Sequence, residues 1–439
     1  MSKWEIYCAD LPIEYEQCID EGLDLKEYGE LFRAVSLLPG NDAKARIADV
    51  IFDIVLNAKT AEGYPYTEPS DLDGIRRLRR SAPALPPPDK SALEGKILGA
   101  WTGRICGCLL GKPIEGVRTD ELIPFLKDCD NYPMHRYIMK RDADAEIMKK
   151  YRFGIAEFCM ADVIDGMPID DDVNYTVLAQ RIVDRHGRDF TSYDVSRDWM
   201  TLIGRYSCCT AERVAYRNFV NGYEPPESAV YKNPYREWIG AQIRGDYFGY
   251  INPGNPELAA EMAHRDACIS HVKNGIYGEM FVAAMLAAAA CTDDFEAVVS
   301  CGLAQIPCTS RLHEAVTDVL NGYRNGVPAA QCFADIHRRY DEHTEYGWCH
   351  TVPNAMIVAA AILYGGGDFS KSVCMAAETG FDTDCNGATV GSVVGMAKGI
   401  GCIDESWTKP INNTVRTSVF GVEEVSVSEL AAQTLKHIG

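Results

Sequence analysis

Residues 378–399, ETGFDTDCNGATVGSVVGMAKG, combine two aspartates with an apolar pattern that predicts a helix. Asp382 and Asp384 stand two positions apart in a run of small and polar residues, directly before that helix. Free backbone N–H groups and the helix dipole favour negative charge at a helix N-terminus. Taken alone, this stretch is explained more simply as a helix cap with an acidic first turn than as a functional site.

A second acidic stretch, IDDDVNYT at residues 169–176, repeats the arrangement far upstream. Asp170, Asp171 and Asp172 precede another helical pattern. Three aspartates exceed what a cap requires, because one side chain satisfies one or two N–H groups and the others repel it. A bound cation relieves that repulsion, and Mg²⁺ and Mn²⁺ prefer oxygen ligands. We therefore predict that the two acidic helix starts face each other and hold one or two divalent ions.

Glycine recurs at every fourth position in two predicted helices. Each glycine costs about 1 kcal/mol against alanine inside a helix, so a whole series requires a compensating gain. A spacing of four keeps the glycines on one face, where another backbone can approach closely. We therefore expect the two helices to pack tightly against each other in the centre of the fold. The two series are Gly95, Gly99, Gly103, Gly107 and Gly111, and Gly387, Gly391, Gly395 and Gly399.

Composition excludes several classes of function. A formal net charge of −20 argues against nucleic-acid binding, because phosphate backbones require a basic surface. No uncharged apolar stretch of about 18 residues occurs, so we expect no membrane span. The N-terminus lacks the apolar segment of a signal peptide, and the 17 cysteines then predict free thiols and a cytoplasmic location. Their spacing lacks the paired CxxC arrangement of a zinc site.

The proline-rich stretch SAPALPPPDK, residues 81–90, is the clearest domain boundary. It predicts an N-terminal helical extension over 1–80, a linker over 81–90 and a main domain over 91–439. Helical patterns dominate throughout, so the predicted fold class is all-α. In the main domain the predicted helices include 173–186, 194–205, 210–220, 234–245, 280–291 and 354–364. One strand-like segment, 414–419, precedes a final helix that begins at residue 428.

The chain contains three motifs in a distinctive order: GAWTGRICGCLLGKPIE (99–115), DDDVNYT (170–176) and GFDTDCNGATVGSVVG (380–395). They resemble three motifs of the ADP-ribosylglycohydrolase family, which includes the dinitrogenase reductase-activating glycohydrolases. These are a glycine-rich first helix ending in glutamate, a threonine/serine-Asp-Asp-Thr metal motif and a Gly-Asp-Thr-Asp-Thr-Asn motif. The match covers about residues 92–400. The resemblance implies that the main domain is a catalytic, compact orthogonal helical bundle with two Mg²⁺ or Mn²⁺ ions in a central cleft.

The resemblance carries over to individual metal ligands. It makes ligands of Asp171, Asp172, Asp382 and Asp384. Asp170 stands where the family usually has threonine or serine, and Cys385 where it usually has threonine, so both belong to the predicted metal shell. The extra carboxylate should tighten the binding of a hard cation, whereas a thiol favours softer metals. Cys108 replaces an aspartate that is common in the first motif.

The implied reaction breaks the glycosidic bond at ribose C1 through an oxocarbenium-like transition state. By the resemblance, two cations chelate the ribose hydroxyls and lower the pKa of a water near C1. Glu115 handles the proton, and Asp171 and Asp172 orient the water. The predicted substrate-binding residues are His271, Asn274, Gly275, Tyr277, Gly380 and Phe381. For Trp348 and His350 a structural role is the favoured interpretation.

Three functions remain open at this point. The leading hypothesis is a metal-dependent hydrolase of ADP-ribosylated protein or of a small molecule that contains ADP-ribose. The second is a small-molecule N-ribosidase that acts on nucleoside-like compounds, which is favoured if residues 1–80 cover the cleft. The third is a non-catalytic binding protein on the same fold, as the lens-crystallin-like members of the family illustrate. The intact acidic residues argue against this third hypothesis, because a purposeless acidic cluster is costly.

Overall fold

The computed structural model describes residues 3–439, and the described chain is almost entirely helical. Its 22 α-helices are α1 Leu11–Asp20, α2 Gly29–Ser36, α3 Asp42–Asn57, α4 Leu72–Arg77, α5 Leu93–Gly111, α6 Thr119–Asp128, α7 Ala145–Met148, α8 Asp171–His186, α9 Ser192–Leu202, α10 Thr210–Val220, α11 Glu227–Val230, α12 Asp246–Tyr250, α13 Pro256–Ala267, α14 Lys273–Ala289, α15 Phe295–Leu303, α16 Arg311–Arg324, α17 Ala329–Arg339, α18 Thr351–Gly365, α19 Phe369–Glu378, α20 Thr383–Lys398, α21 Glu405–Thr408 and α22 Val427–His437. Strands β1 Thr414–Arg416 and β2 Glu424–Ser426 form one antiparallel ribbon. The all-α prediction is confirmed.

Helices α5 and α20 form an antiparallel pair at the centre of the molecule, joined along their two glycine series. A Cβ atom added at Gly103 would overlap the carbonyl group of Gly391, and one added at Gly107 would overlap that of Gly387. The close approach is reciprocal, since a Cβ atom at Gly395 would overlap the carbonyl oxygen of Gly99. The predicted tight packing of these two helices is therefore confirmed.

Two further buried helices, α14 and α18, pack around this pair. Nearly every residue of α14 is buried, as its alanine-rich sequence predicts. Helix α18 is equally buried and ends at Gly366, which takes the left-handed conformation that favours glycine. Because both helices lack a polar face, they are held inside the bundle rather than at its surface.

The N-terminal segment forms four helices, α1–α4. Helices α1–α3 share a small core around Leu11, Phe32 and Ile51, whereas Ile75 of α4 packs into the main core. Residues 81–90 contain no helix or strand apart from a turn at the end. The segment is joined to the rest of the chain by buried polar contacts. Gln17 Nε2, for example, donates to Glu237 Oε2 at 2.7 Å. The division at 81–90 remains a prediction.

The predicted helix over 234–245 is wrong. Residues 233–241 form turns, and only Gln242–Arg244 is a short 3₁₀ helix. The turns aim Arg236 and Glu237 at the N-terminal segment, where Arg236 is 3.0 Å from Glu14. A helix would hold these side chains on its own surface and away from the N-terminal segment. The buried ion pairs therefore outweigh the local preference for a helix. The predicted strand is confirmed at β1, but the pattern did not reveal its partner β2.

Substitutions in the glycine series test the central packing. We expect Gly103→Leu, or Gly395→Leu, to abolish folding, because each new side chain would meet the backbone of the facing helix. Gly95→Ala is the matched control, since no atom lies within 4 Å of its added Cβ. The control should gain about 0.5 kcal/mol from helix propensity. Circular dichroism during urea unfolding measures both effects. A wild-type unfolding midpoint for Gly103→Leu would contradict the packing.

Candidate metal centre

The two acidic helix starts meet beside the end of α5. Three groups of potential metal ligands lie there, each with ligand atoms within 4.8 Å of one another: Cys108, Asp170 and Asp172; Asp172, Asp384 and Cys385; and Glu115, Asp382 and Asp384. The Cys385 thiol donates a hydrogen bond to Asp172 Oδ2 at 3.3 Å. More than 200 residues separate these two in sequence, so only the fold brings them together. The predicted meeting of the two acidic stretches is confirmed.

Helix capping accounts for only one of the aspartates at these helix starts. Asp170 is the N-cap of α8, and its side chain accepts a hydrogen bond from the backbone N–H of Asp172 at 2.9 Å. Asp382 occupies the N-cap of α20 but caps no N–H group. Its own backbone N–H donates to Asn354 Oδ1 at 3.2 Å, and its Oδ2 accepts from the Cys349 thiol at 3.5 Å. The position of Asp382 therefore needs an explanation other than capping.

Three carboxylate oxygens of the cluster are buried without a hydrogen-bond partner among residues 3–439. Asp170 Oδ2 still forms an ion pair with Lys112 Nζ, whereas within the same residues no ion pair reaches the other two, Asp382 Oδ1 and Asp384 Oδ1. An unsatisfied buried acceptor costs free energy, whereas a carboxylate oxygen is the ligand that Mg²⁺ and Mn²⁺ prefer. The residues present therefore fit the divalent cations that the family resemblance implies.

Lys112, the first residue after α5, places an ammonium group inside the cluster. Its Nζ lies 2.7 Å from Asp170 Oδ2 and 3.5 Å from Asp384 Oδ2, so it joins the two acidic stretches. A third ion pair, of 3.1 Å, connects it to Glu115 Oε2. These opposite charges offset part of the repulsion among the carboxylates.

Arg104 supplies a second positive charge from the middle of α5. Its fully buried side chain donates from Nε and Nη2 to the carbonyl oxygen of Asp172, at 3.0 and 2.7 Å. Its Nη2 is also 3.3 Å from Asp172 Oδ1, and Nη1 contacts Asp246 at 2.5 Å. Arg104 therefore fixes the start of α8 against the central helix pair.

Burial and mutual repulsion raise the pKa of several cluster carboxyls. Burial, and then the charges of Asp170 and Asp384, raise the pKa of Asp172 well above its usual range. Burial and then Asp170 raise the pKa of Asp171 to about 7. For Asp382, burial and then Asp384 raise the pKa well above the ordinary value. Negative charge is thus costly here, and a divalent cation would lower that cost.

Glu115 lies at the solvent edge of the cluster, with its side chain 39% exposed. The charge of Asp384, followed by burial, raises the pKa of Glu115 well above its usual range, although Lys112 acts in the opposite direction. Glu115 therefore keeps its proton at a pH where an ordinary glutamate has lost it. Burial also raises the pKa of the Cys385 thiol, so this side chain is uncharged without a bound cation.

Four of the residues predicted to bind substrate are fully or almost fully buried: His271, Asn274, Gly275 and Tyr277. Asn274 Nδ2 donates to Glu68 Oε1 at 2.9 Å, and the Tyr277 hydroxyl donates to the carbonyl oxygen of Pro69 at 2.5 Å. The N-terminal segment thus accepts a hydrogen bond from each of these side chains, while Asn274 Oδ1 accepts from the N–H of Leu312 in the main domain. Their role in substrate binding remains a prediction.

The other two, Gly380 and Phe381, form the turn that leads into Asp382. Both have positive φ values, of 75° and 56°. Phe381 adopts a backbone conformation that is uncommon for residues other than glycine. Its N–H donates to Glu342 Oε2 at 3.3 Å, and Glu342 Oε1 accepts from the N–H of Thr119 at 2.9 Å. Glu342 thus fixes the turn that directs Asp382 into the cluster.

Sequence patterns did not reveal five residues that build this site: Arg104, Lys112, Glu342, Cys349 and Asn354. Lys112 marks a helix end in the sequence, and Arg104 is a lone charge inside an apolar helix. The latter is a usable signal, because a buried arginine requires partners. Glu342 and Asn354 carry no local signal. His350 caps α18 by accepting from the N–H of Val352 at 3.2 Å, in keeping with the structural role favoured for it.

Removing one buried charge tests the metal site. We expect Asp382→Asn to abolish activity and to weaken Mn²⁺ and Mg²⁺ binding. Its melting temperature in EDTA should equal or exceed that of the wild type, because one repulsive charge is gone. Calorimetric titration and thermal unfolding with and without Mn²⁺ measure these effects. Asp53→Asn, at an exposed position of α3, is the control and should change neither. Unchanged Mn²⁺ affinity in Asp382→Asn would refute the assignment.

The raised pKa of Asp171 predicts a pH dependence. The folded protein retains a proton up to about pH 7 that the unfolded chain, with an ordinary value near 3.8, releases. The contribution of Asp171 to stability is therefore present at low pH and lost as the pH rises through about 7. Urea midpoints in EDTA between pH 5 and 8 should fall more steeply for the wild type than for Asp171→Asn. Equal slopes would contradict the shift.

Comparison with known proteins shows the family of this chain. The sequence model of the ADP-ribosylglycohydrolase family matches residues 89–436. Among solved structures, a chain described as an ADP-ribosylglycohydrolase-related protein complex has 18% sequence identity and a TM-score of 0.49, covering 79% of this chain and 98% of that chain. No curated protein matched the sequence. The family match spans most of the chain and contains Glu115 and the five aspartates of the cluster, so the protein belongs to the ADP-ribosylglycohydrolase family.

Proposed function

We propose that the protein is a metal-dependent hydrolase that cleaves the glycosidic bond at ribose C1. The observation that carries this proposal is the pair of buried, unpartnered oxygens, Asp382 Oδ1 and Asp384 Oδ1, where the two acidic helix starts meet. Family membership supports glycosidic bond hydrolysis in general. No helix among residues 3–439 is long and apolar enough to cross a membrane.

Two divalent cations, Mg²⁺ or Mn²⁺, would be held by the cluster carboxylates. The proposed ligands are Asp170, Asp171, Asp172, Asp382 and Asp384, with the thiol of Cys385 beside them. When bound, such ions supply Lewis acidity and lower the pKa of a coordinated water. The carboxylates fix the position of the ribose and of that water, because their own positions are set by the starts of α8 and α20.

Glu115 is the proposed proton donor. It combines access to solvent with a pKa that Asp384 and burial raise above that of an ordinary glutamate. It would give that proton to the leaving atom as the bond at C1 breaks. Asp171 and Asp172 then orient the attacking water, and the surrounding negative charge stabilises the positive charge that develops on the ribose.

The contacts of the N-terminal segment favour a small-molecule ribosidase over an enzyme that acts on modified proteins. The segment accepts hydrogen bonds from Asn274 Nδ2 and the Tyr277 hydroxyl, two side chains that the resemblance assigns to the group attached to the ribose. Gln17, also in the N-terminal segment, donates a hydrogen bond to Glu237 Oε2. The same oxygen is 3.9 Å from His350 Nε2. A group attached to ribose would have little room there, so we favour compounds of nucleoside size. The 17 free cysteines support a cytoplasmic location, which we include in the proposal.

Substitution of Glu115 tests the proposed reaction. We expect Glu115→Gln to lower kcat/KM by about 10²- to 10⁴-fold, because general acid catalysis contributes this much. Mn²⁺ affinity should change far less than kcat/KM, since the aspartate ligands remain. Released ribose measures turnover, and calorimetry measures Mn²⁺ binding. Glu405→Gln, at an exposed position in α21, is the control. Full activity in Glu115→Gln would contradict the role of Glu115.

A substrate panel separates the three candidate functions. We expect the Mn²⁺-loaded protein to release ribose from nucleosides and small ribosides, and to leave an ADP-ribosylated peptide intact. Turnover of the peptide at a comparable kcat/KM would instead support the protein-directed hydrolase. Calorimetry that detects neither Mn²⁺ nor Mg²⁺ binding would support the non-catalytic binding protein.

A further inference from the structure

Arg118 has a guanidinium group without an ion pair among residues 3–439, in a chain where 63 acidic residues outnumber 43 basic ones. It follows Glu115 by three positions and immediately precedes α6. The side chain is half-buried, and its Nη1 atom is fully buried without a hydrogen-bond partner. A buried donor of this kind costs free energy unless a ligand satisfies it.

The guanidinium of Arg118 stacks on the ring of Trp348, with its carbon 4.8 Å from the ring centre. Trp348 is connected to the acidic cluster by hydrogen bonds through Asn354. Its carbonyl oxygen accepts from Asn354 Nδ2 at 2.9 Å, and Asn354 Oδ1 in turn accepts from the N–H of Asp382. The next residue, Cys349, donates to Asp382 Oδ2. The stacked pair is therefore held at the edge of the cluster by the residues that position a proposed metal ligand.

The acidic residue that influences Arg118 most, Glu342, is already used by the backbone. Its Oε1 accepts from the N–H and hydroxyl of Thr119, and its Oε2 accepts from the N–H of Phe381. Burial lowers the pKa of Arg118, which agrees with a cation that lacks full compensation. The fold thus holds this guanidinium in place without using its hydrogen-bonding capacity.

Arg339 shows how a stacked arginine with a structural role differs. Its guanidinium lies 5.5 Å from the ring centre of Tyr340, and its side chain is 34% exposed. Unlike Arg118, it forms ion pairs of 3.2 Å with Glu314 and 3.1 Å with Asp318. The same kind of stack therefore occurs in this molecule with its charge satisfied, and Arg339 is a matched control.

We infer that Arg118, stacked on Trp348, is a binding subsite for an oxyanion, a phosphate or carboxylate, carried by the ribosyl substrate. A planar guanidinium presents paired N–H donors that match both groups, and stacking fixes its orientation. Cations bound at the acidic cluster would offset the negative field that otherwise opposes an anion here. The inference deepens the proposed function and rests on it, because it assigns a further group of the same substrate.

Binding of unreactive product-like compounds to the full-length, Mn²⁺-loaded protein tests this subsite. Comparison of ribose 5-phosphate with ribose tests whether the subsite binds a phosphate on the sugar. Comparison of nicotinate with nicotinamide tests whether it binds a carboxylate on the leaving group. We expect one anionic probe to bind at least about tenfold more tightly than its neutral partner, because a charge-assisted hydrogen bond contributes this much. Calorimetry measures all four affinities.

Arg118→Gln should remove that preference while leaving the affinity of the neutral partner within about twofold. Arg118→Lys should restore only part of it, since an ammonium lacks the planar pair of donors. Arg339→Gln should retain the wild-type preference in full. Equal binding of anionic and neutral probes by the wild type, or an equal loss of both in Arg118→Gln, would overturn the subsite and leave the proposed hydrolase intact. Failure of all four probes to bind would overturn both.

Discussion

The backbone contact between α5 and α20 is the constraint on which the site depends. Because glycine lines both faces, the two helices approach until the carbonyl groups of one meet the Cα atoms of the other. At the end of this seam, Gly111 lies directly against the backbone of Thr383 and Asp384. Lys112 and Glu115 follow Gly111 closely in the chain, so the contact between α5 and α20 places them beside the start of α20.

The carboxylates of the acidic cluster, at the end of this helix contact, repel one another. Lys112 and Arg104 offset part of the negative charge, yet burial still raises the pKa values of Asp172 and Asp382 far above the ordinary range. A protein selected for stability alone would not retain unsatisfied carboxylates in its interior. Their cost becomes intelligible if a divalent cation lies among them, because the same charges then bind it. The candidate metal centre is thus a place where unsatisfied carboxylates lower the local stability of the fold.

The N-terminal segment is held against the main domain by buried ion pairs. Its acidic side chains insert against basic residues of the main domain: Arg236 pairs with Glu14 and Glu21, and Arg311 pairs with Glu68. Buried ion pairs of this kind contribute more to orientation than to stability. The ion pairs therefore fix the position of the segment. Arg118 remains beside the cluster, stacked on Trp348 but without an ion pair among residues 3–439.

The sequence by itself determined the helical class, the glycine seam and the two acidic stretches, because each depends on local spacing. The acidic residues were recognisable since three adjacent aspartates exceed the needs of a cap. Only the tertiary structure decided that residues 233–241 are turns, that the N-terminal segment binds Asn274 and Tyr277, and that Lys112 and Arg104 face the cluster. These features depend on contacts between residues far apart in sequence, and local propensity contains no information about such partners.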